Sequence, residues 1–514
     1  AAQAACEQQD DLAREHLQTC FDVLLEARER CYPSESYLID VTLVADTTLG
    51  AGLRRELTGK QPINLLLSGR LVEQLAAEQP EKLATIKSRL DAGSLDVFGG
   101  EYDERDLPLL PLESILETFR AGRVVYERHL GRAPTVFGRR RAGLFPGLPQ
   151  ILSKLGYQGA THFTLDDGHF PKASQSKLRW ESPDGSVLPA LSRAPLDAGK
   201  AETFLSLPEK LGESMDLDHV ATVSFAHWPG QASEWYEDLR RMAAYAPVLG
   251  KFVTVGEYFS KTDSPGELTR FSADAYRTPY LQQSVIRKRP DPLSSYTRQI
   301  RERLQLETGR TTLLLAAALG APGALGDSPT NWSARANELA TELERSSGPP
   351  ATVVSPSNGS DAKTSEASPP ATVDSSASES ATVDVQPGGA NGPTGDSATV
   401  NLNAARLGER IAAFQADAAN RFLTALAGTS KSTAPGVLVF NPLSFGRRIP
   451  LELPGWEYPP AVEGSVRASQ KRPGGAAAVV DVPGLGYVWI PKPTRSPALP
   501  KPAQALAEND RVRN

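Results

Sequence analysis

The chain of 514 residues has only three cysteines, Cys6, Cys20 and Cys31, all within the first 31 residues. Their spacing matches neither a zinc knuckle nor a disulfide framework. Cys20 and Cys31 fall in a helical pattern as small apolar residues, and such usage favours a reducing, cytoplasmic compartment. No apolar run approaches the roughly 20 residues that a bilayer span needs, so no membrane partner is expected. An excess of positive charge is also missing: 55 Lys and Arg face 61 Asp and Glu, for a net charge of −6. Nucleic-acid binding needs a concentrated basic surface, and a neutral ligand such as a carbohydrate fits better. The sequence opens with neither Met nor a signal-like segment, and residues 509–514 read as an unfinished strand. A fragment of a longer protein is the expectation, which leaves targeting and oligomeric state open.

With 40% hydrophobic and 23% charged residues, the chain can bury a core divided among two to four domains. An amphipathic helix over residues 10–30, with Leu17, Cys20, Phe21, Leu24 and Leu25 at helical spacing, is expected to cover a neighbour. Seven apolar runs follow at 37–44, 63–67, 95–98, 135–137, 160–165, 220–226 and 252–255, alternating with helical segments such as 71–92, 112–130 and 231–245. That alternation predicts an α/β fold with a parallel sheet, closed or doubly wound. A hairpin at 177–188, turning at Pro183-Asp184-Gly185, interrupts the series and is expected to form a flap beside the functional rim.

Beyond residue 280 helices follow one another at 292–306, 313–319, 333–346 and 407–426, the pattern of a small bundle. Residues 347–400 are dense in Ser, Pro, Ala, Thr, Gly and Asp and nearly free of aromatics, with a short echo recurring as Ala351-Thr352-Val353, Ala371-Thr372-Val373, Ala381-Thr382-Val383 and Ala398-Thr399-Val400. Such a segment buries too little apolar surface to offset chain entropy and reads as a disordered linker. Short strand-like runs from residue 436 onward, separated by Gly and Pro, read as the start of a β-sandwich. The expected domains are 1–36 (N-terminal helix), 37–275 (α/β), 276–346 with 401–430 (helical bundle), 347–400 (linker) and 435–514 (β-sandwich).

Residues 134–195 concentrate the candidate chemistry. The run Thr135-Val136-Phe137-Gly138 leads into Arg139-Arg140-Arg141, and a helix stopped at Gly156 leads to a second run that ends at Asp166-Asp167-Gly168. A strand, helix and strand of this kind form a βαβ unit, and parallel α/β folds carry their chemistry at the strand ends. One rim therefore gathers the three arginines and the paired acids.

Several segments resemble glycoside hydrolase family 38, the α-mannosidases. Phe98-Gly99-Gly100 with Leu110-Pro111-Leu112-Glu113-Ser114, Gly143 with Leu148-Pro149-Gln150-Ile151-Leu152, Trp180-Glu181 with Asp184-Gly185-Ser186, and Asn441-Pro442-Leu443-Ser444 resemble that family's motifs in order, over about 400 residues. The resemblance implies a seven-stranded parallel α/β barrel, a helical bundle and a β-sandwich. It also implies a divalent metal, zinc in that family, and a carboxylate nucleophile. Counting back from Leu148-Pro149, the nucleophile position falls on Arg140, and an arginine cannot form a glycosyl ester. Of the first metal-ligand pair only Asp46 matches, and residues 313–331 lack the later ligand His.

Glycosidases work with two carboxyl groups, one of them kept protonated. The expected catalytic candidates are Asp166 or Asp167 with Glu101, and the expected substrate-binding residues are Arg140, His227, Trp228 and Asp103, with Asp46 as a partial metal match. Each has a plainer reading. The Asp pair can cap a turn, Glu101 and Asp103 can close a loop, His227 and Trp228 can pack, and the arginines can form structural ion pairs. Two functions stay open: a glycoside hydrolase with a rearranged carboxylate pair, and a non-catalytic carbohydrate-binding or scaffold protein on the same fold. A deacetylase-like metal hydrolase is a distant third, because histidines near carboxylates are scarce.

Overall fold

The computed structural model describes residues 1–31, 36–166, 168–218, 220–262, 267–286, 292–319, 329–346, 396–427, 435–496, 506–508 and 511–513. The chain divides into two units, Ala1–Ile300 with Glu344–Thr399, and Arg301–Leu343 with Val400–Asn514.

The first unit opens with α1 (Ala2–Cys6) and α2 (Asp10–Cys31). Contrary to the expected covering role, α2 leaves Leu17 and Leu24 each 45% exposed. The α/β alternation then runs β1 (Ser36–Leu43), α3 (Ala51–Thr58), β2 (Ile63–Leu66), α4 (Gly69–Glu78), α5 (Pro80–Asp91), β3 (Leu95–Phe98), α6 (Leu112–Leu130), β4 (Val136–Phe137), α7 (Leu148–Lys154) and β5 (Gly159–Thr161). It continues through β6 (Lys177–Glu181), β7 (Val187–Leu191), β8 (Leu196–Asp197), α8 (Glu202–Leu217), β9 (Ala221–His227), α9 (Glu234–Met242), β10 (Lys251–Phe252), α10 (Val255–Lys261), β11 (Leu268–Thr269) and α11 (Tyr280–Ile286). Two helix boundaries differ from the sequence reading for local reasons. Pro80 lacks the N–H that a continuous helix over 71–92 would need, so α4 stops and α5 starts on the proline. Val255 opens α10 instead of ending a strand, because the Thr254 hydroxyl accepts the Glu257 amide at 3.2 Å as an N-cap.

The strands build two sheets. The first has the order β3-β2-β1-β9-β8, with β10 also pairing β1, and every pairing in it is parallel. The second has the order β11-β6-β7-β5-β4. A single parallel bridge, Gly99 to Phe137, joins the β3 edge to β4. The expected closed ring of seven strands is thus replaced, among the described residues, by two sheets joined at one edge. The ring opens because β5 pairs β7 of the hairpin while β9 pairs β1 and β8, so no described ladder links the fifth and sixth expected strands.

All eight residues of β1 are buried and its side chains alternate between two cores. Tyr37, Ile39, Val41 and Leu43 face the inner core with Phe98, Val136, Phe163 and Ala226. Leu38 faces the outer core with Phe225, Tyr236 and Leu239. Full burial of such side chains stabilises by about 1.5–3 kcal/mol each. The hairpin β6–β7 is antiparallel while β7 runs parallel to β5, with Ala160 opposite Ala190 and Thr161 opposite Leu191. Its turn therefore sits at the strand N-terminal end, away from the rim, and the expected flap is not beside the site. Trp180 in β6 is fully buried instead, 4.7 Å from the His162 ring.

The second unit includes most of three helices, α12 (Pro292–Ala318), α13 (Pro329–Ser346) and α14 (Asp396–Ala427), which pack Leu306, Leu313, Leu339, Leu343, Ile411 and Phe414 into one cluster. The two helices expected at 292–306 and 313–319 are one continuous helix. Two small antiparallel sheets follow. One pairs β12 (Gly436–Asn441) with β16 (Gly486–Pro491), and the other orders β13 (Arg447–Pro454), β15 (Gly475–Val482) and β14 (Val466–Arg472) as β13-β15-β14. They share a core of Val439, Leu453, Trp456, Val480 and Ile490. The expected linker lies outside the described residues, apart from 396–400, which open α14.

Candidate functional site

The C-terminal ends of the parallel strands define the rim. After β3 the chain turns at Gly99 and Gly100, with φ of +149° and +132°, a region that L side chains rarely enter. The turn delivers residues 101–106 toward the end of β4. There Glu104 accepts the backbone amides of Arg140 and Arg141, both at 2.9 Å. The Arg140 carbonyl in turn accepts the amides of Leu165 at 2.8 Å and Asp166 at 3.1 Å. The segments following β3, β4 and β5 are thus tied through the backbone of one residue.

This backbone hub brings together three of the expected residues. Arg140 Nε lies 2.8 Å from Asp166 Oδ2, with both side chains partly exposed. The Arg140 guanidinium also sits over the Trp228 ring, 5.2 Å from its centroid, at a distance that supports a cation–π contact. Trp228 follows directly on β9. Asp167 lies outside the described residues, as does His219.

A second ion cluster lies within electrostatic reach of Arg140, in the segments that follow β1, β2 and β3. Arg70, in the first turn of α4, donates Nη1 and Nη2 to the two oxygens of Asp46 at 2.7 and 2.9 Å, and its Nε is 3.4 Å from Asp103 Oδ1. A planar guanidinium matches a carboxylate in this two-pronged way. The hydrogen bonds from Arg70 hold Asp46 below the usual carboxylate range, with a smaller pull from the Arg140 charge. Burial raises Asp103 despite Arg70. Arg70 escaped the sequence reading, which looked for acids at strand ends. Its signal was its place, four residues beyond the end of β2.

Both oxygens of Asp46 accept from a cation, and a second cation, Arg140, stands where the resemblance to family 38 puts another carboxylate. Among the described residues no group of three or more His, Cys, Asp and Glu is placed to hold a metal. The residues present do not fit the zinc ion that the resemblance implies.

Glu101 and His227 stand elsewhere than expected. The Glu101 carboxyl is only 2% exposed and packs beneath the rim, 3.4 Å from the buried Arg139 Nη1. Burial pushes it up to about 8, Arg139 pulls the other way, and Glu104 and Asp103 add to the rise. A carboxyl enclosed in this way does not reach a ligand on the rim. His227 belongs to the outward-facing side of β9, with Val223 and Phe225, so its ring enters the layer under α9. There Nε2 lies 3.2 and 3.3 Å from the two Asp40 oxygens. His162 is buried too, its Nε2 2.8 Å from the Tyr276 hydroxyl and its ring stacked on Phe271, and burial lowers it to about 3.

The model of glycosyl hydrolase family 57 matches residues 16–185. This part of the chain is similar to a glycoside hydrolase domain, and the matching model is that of family 57, not family 38. No curated protein matches the chain. Among solved structures, an α-mannosidase from Enterococcus faecalis V583 is 12% identical over 91% of this chain and 55% of that one, with a TM-score of 0.49. A 4-alpha-glucanotransferase from Thermococcus litoralis is 15% identical over 61% of this chain and 55% of that one, with a TM-score of 0.38. A GH57 branching enzyme from Thermococcus kodakaraensis is 12% identical over 61% of this chain and 84% of that one, also at 0.38. The chain spans about half the length of the α-mannosidase.

Proposed function

We propose that the protein binds carbohydrate at the strand-end rim of a glycoside hydrolase-like domain, without the chemistry of an α-mannosidase. One observation carries this reading: Arg140 stands at the position that the family 38 resemblance assigns to the nucleophile, and its guanidinium is committed to Asp166 and to the face of Trp228. The Trp228 indole, partly buried against the inner core, keeps some flat apolar surface for the CH face of a sugar ring. Arg140 and Asp166 beside it supply donors and acceptors for ring hydroxyls, and Asp103, in the segment after β3, adds an acceptor.

A second reading, a hydrolase that uses Asp166, is favoured by the convergence of Asp46, Asp103 and Asp166 around two arginines. The experiment that separates the two combines a glycan array with hydrolysis of aryl α- and β-glycosides, on the wild type and on the variants Trp228→Ala, Arg140→Ala and Asp166→Asn. Saturable binding that disappears in Trp228→Ala, without turnover, is the expected result. Turnover that disappears in Asp166→Asn would establish the hydrolase instead, and absence of any binding would refute both.

A further inference from the structure

A buried charge network lies under the rim, and the site described above does not use it. Asp40, in the middle of β1 and fully buried, accepts hydrogen bonds from Thr42 Oγ1 at 2.8 Å and from Tyr236 Oη at 2.7 Å, besides facing His227. Arg240, one turn beyond Tyr236 on α9, has Nε 3.9 Å from Asp40 and donates Nη1 to Glu56 of α3 at 2.9 Å. Glu56 in turn accepts the Gly230 amide at 3.2 Å. Buried charges of this kind contribute little net stability compared with apolar packing, so the position they fix matters more than their energy.

That position is the loop bearing Trp228. Its first residue, His227, has acceptors on both ring nitrogens: the Asp40 carboxylate on Nε2, and the Trp228 carbonyl 3.2 Å from Nδ1. A neutral imidazole carries one N–H, so only the imidazolium satisfies both contacts. Burial opposes that charge, but the Asp40 charge and hydrogen bond outweigh it and raise His227 above its ordinary value, with Glu56 assisting and Arg240 opposing. At the far end of the loop Glu56 holds Gly230. Between them Gly52 of α3 packs so closely that a Cβ there would collide with the Pro229 carbonyl.

We propose that His227 is a positioning residue: as an imidazolium bridging Asp40 and the Trp228 carbonyl, with Glu56 anchoring Gly230, it sets the orientation of Trp228 and makes sugar binding depend on its proton. The part concerning sugar rests on the reading of Trp228 as the rim platform. Loss of the proton leaves the ring one N–H. Asp40, the stronger acceptor, keeps it, and the Trp228 carbonyl is left with the Gln231 amide at 3.0 Å alone.

The test is nitrogen NMR of the imidazoles in the labelled full chain between pH 5 and 9, with His227 assigned by His227→Gln, alongside the Trp228 indole signal and the affinity for methyl α-mannoside. The expected result is a doubly protonated His227 at pH 7, a Trp228 signal that moves with the His227 midpoint, and affinity about tenfold weaker above that midpoint, equivalent to one lost hydrogen bond. Glu56→Gln is expected to shift the Trp228 signal at every pH. A neutral His227 at pH 7, or a Trp228 signal that ignores its titration, would overturn the proposal. If His227→Gln does not fold, the wild-type titration decides on the His resonance that shifts in Glu56→Gln. If methyl α-mannoside binds at no pH while the two midpoints coincide, the sugar reading fails and the positioning role stands.

Discussion

Replacing Glu101 by Gln tests whether the carboxyl beneath the rim is ionised. Its value in the folded protein is about 8 against an ordinary 4.5. A raised carboxyl favours the folded state fully below 4.5, and that contribution declines as pH rises toward 8. At pH 7 the wild type has crossed 2.5 units of this window, and at about 1.4 kcal/mol per unit it has lost roughly 3 kcal/mol. Glutamine has the shape of the protonated acid and no titration. The variant is therefore expected to match the wild type at pH 4 and to exceed it by about 3 kcal/mol at pH 7, which calorimetry would register as a melting transition of the first unit raised by roughly 5 °C. The opposite sign is equally informative. If Glu101 and Arg139 form an ionised pair, removing one charge leaves the other buried and costs about 3–5 kcal/mol. A variant destabilised by that amount at pH 7 would refute the protonated state.

Two further outcomes bear on the rim. Arg70→Ala removes the hydrogen bonds that depress Asp46, so carbon NMR is expected to find its titration back in the ordinary carboxylate range. Because the pair is partly exposed, the stability cost stays below about 1 kcal/mol near neutrality and vanishes as pH falls through the depressed wild-type value; an unmoved Asp46 would mean that Arg70 is not its principal partner. Gly100→Ala places a Cβ at φ +132° against the Tyr157 hydroxyl and is expected to cost about 3 kcal/mol in thermal or urea unfolding. Adding Tyr157→Phe should recover part of that loss, and no recovery would assign the whole cost to the backbone.

The alternation of strands and helices was legible because runs such as 37–44 are apolar almost throughout, as buried parallel strands must be. Asp40 is the charged residue within that run, and its purpose could not be read, since His227 lies 187 positions away and meets it only because β9 pairs alongside β1. The same limit applies to the hairpin. Its turn chemistry at Pro183-Asp184-Gly185 was plain, but whether the turn faces the rim depends on the direction in which β7 joins β5. The start of α10 was accessible in principle, because Thr254 followed by Glu257 is a capping signature; the apolar run 252–255 obscured it. At the rim, the strand-end reading put Arg140 and Asp166 on one edge, and their side chains meet at 2.8 Å. The burial of Glu101 was not legible, since a Gly-Gly turn does not reveal which side of the loop its next side chain enters.

The two charge systems differ in a way that suits different tasks. Arg140 and Asp166 are partly exposed, and a pair in that setting is worth at most about 1 kcal/mol. Under the proposed function, a sugar hydroxyl comes between them at little cost, exchanging one hydrogen bond for another. Asp40 and His227 are sealed from water, so neither can change partner without stranding a charge, and breaking such a pair costs about 3–5 kcal/mol. Trp228 stands at the junction of the two systems: its ring faces the adaptable pair and its backbone is bound to the rigid one. A platform fixed from below and bordered above by exchangeable charges suits recognition of a ring that brings its own hydroxyl groups. Among the described rim residues, Asp46 and Asp166 each face an arginine, and the strongly raised carboxyl of Glu101 lies beneath the rim.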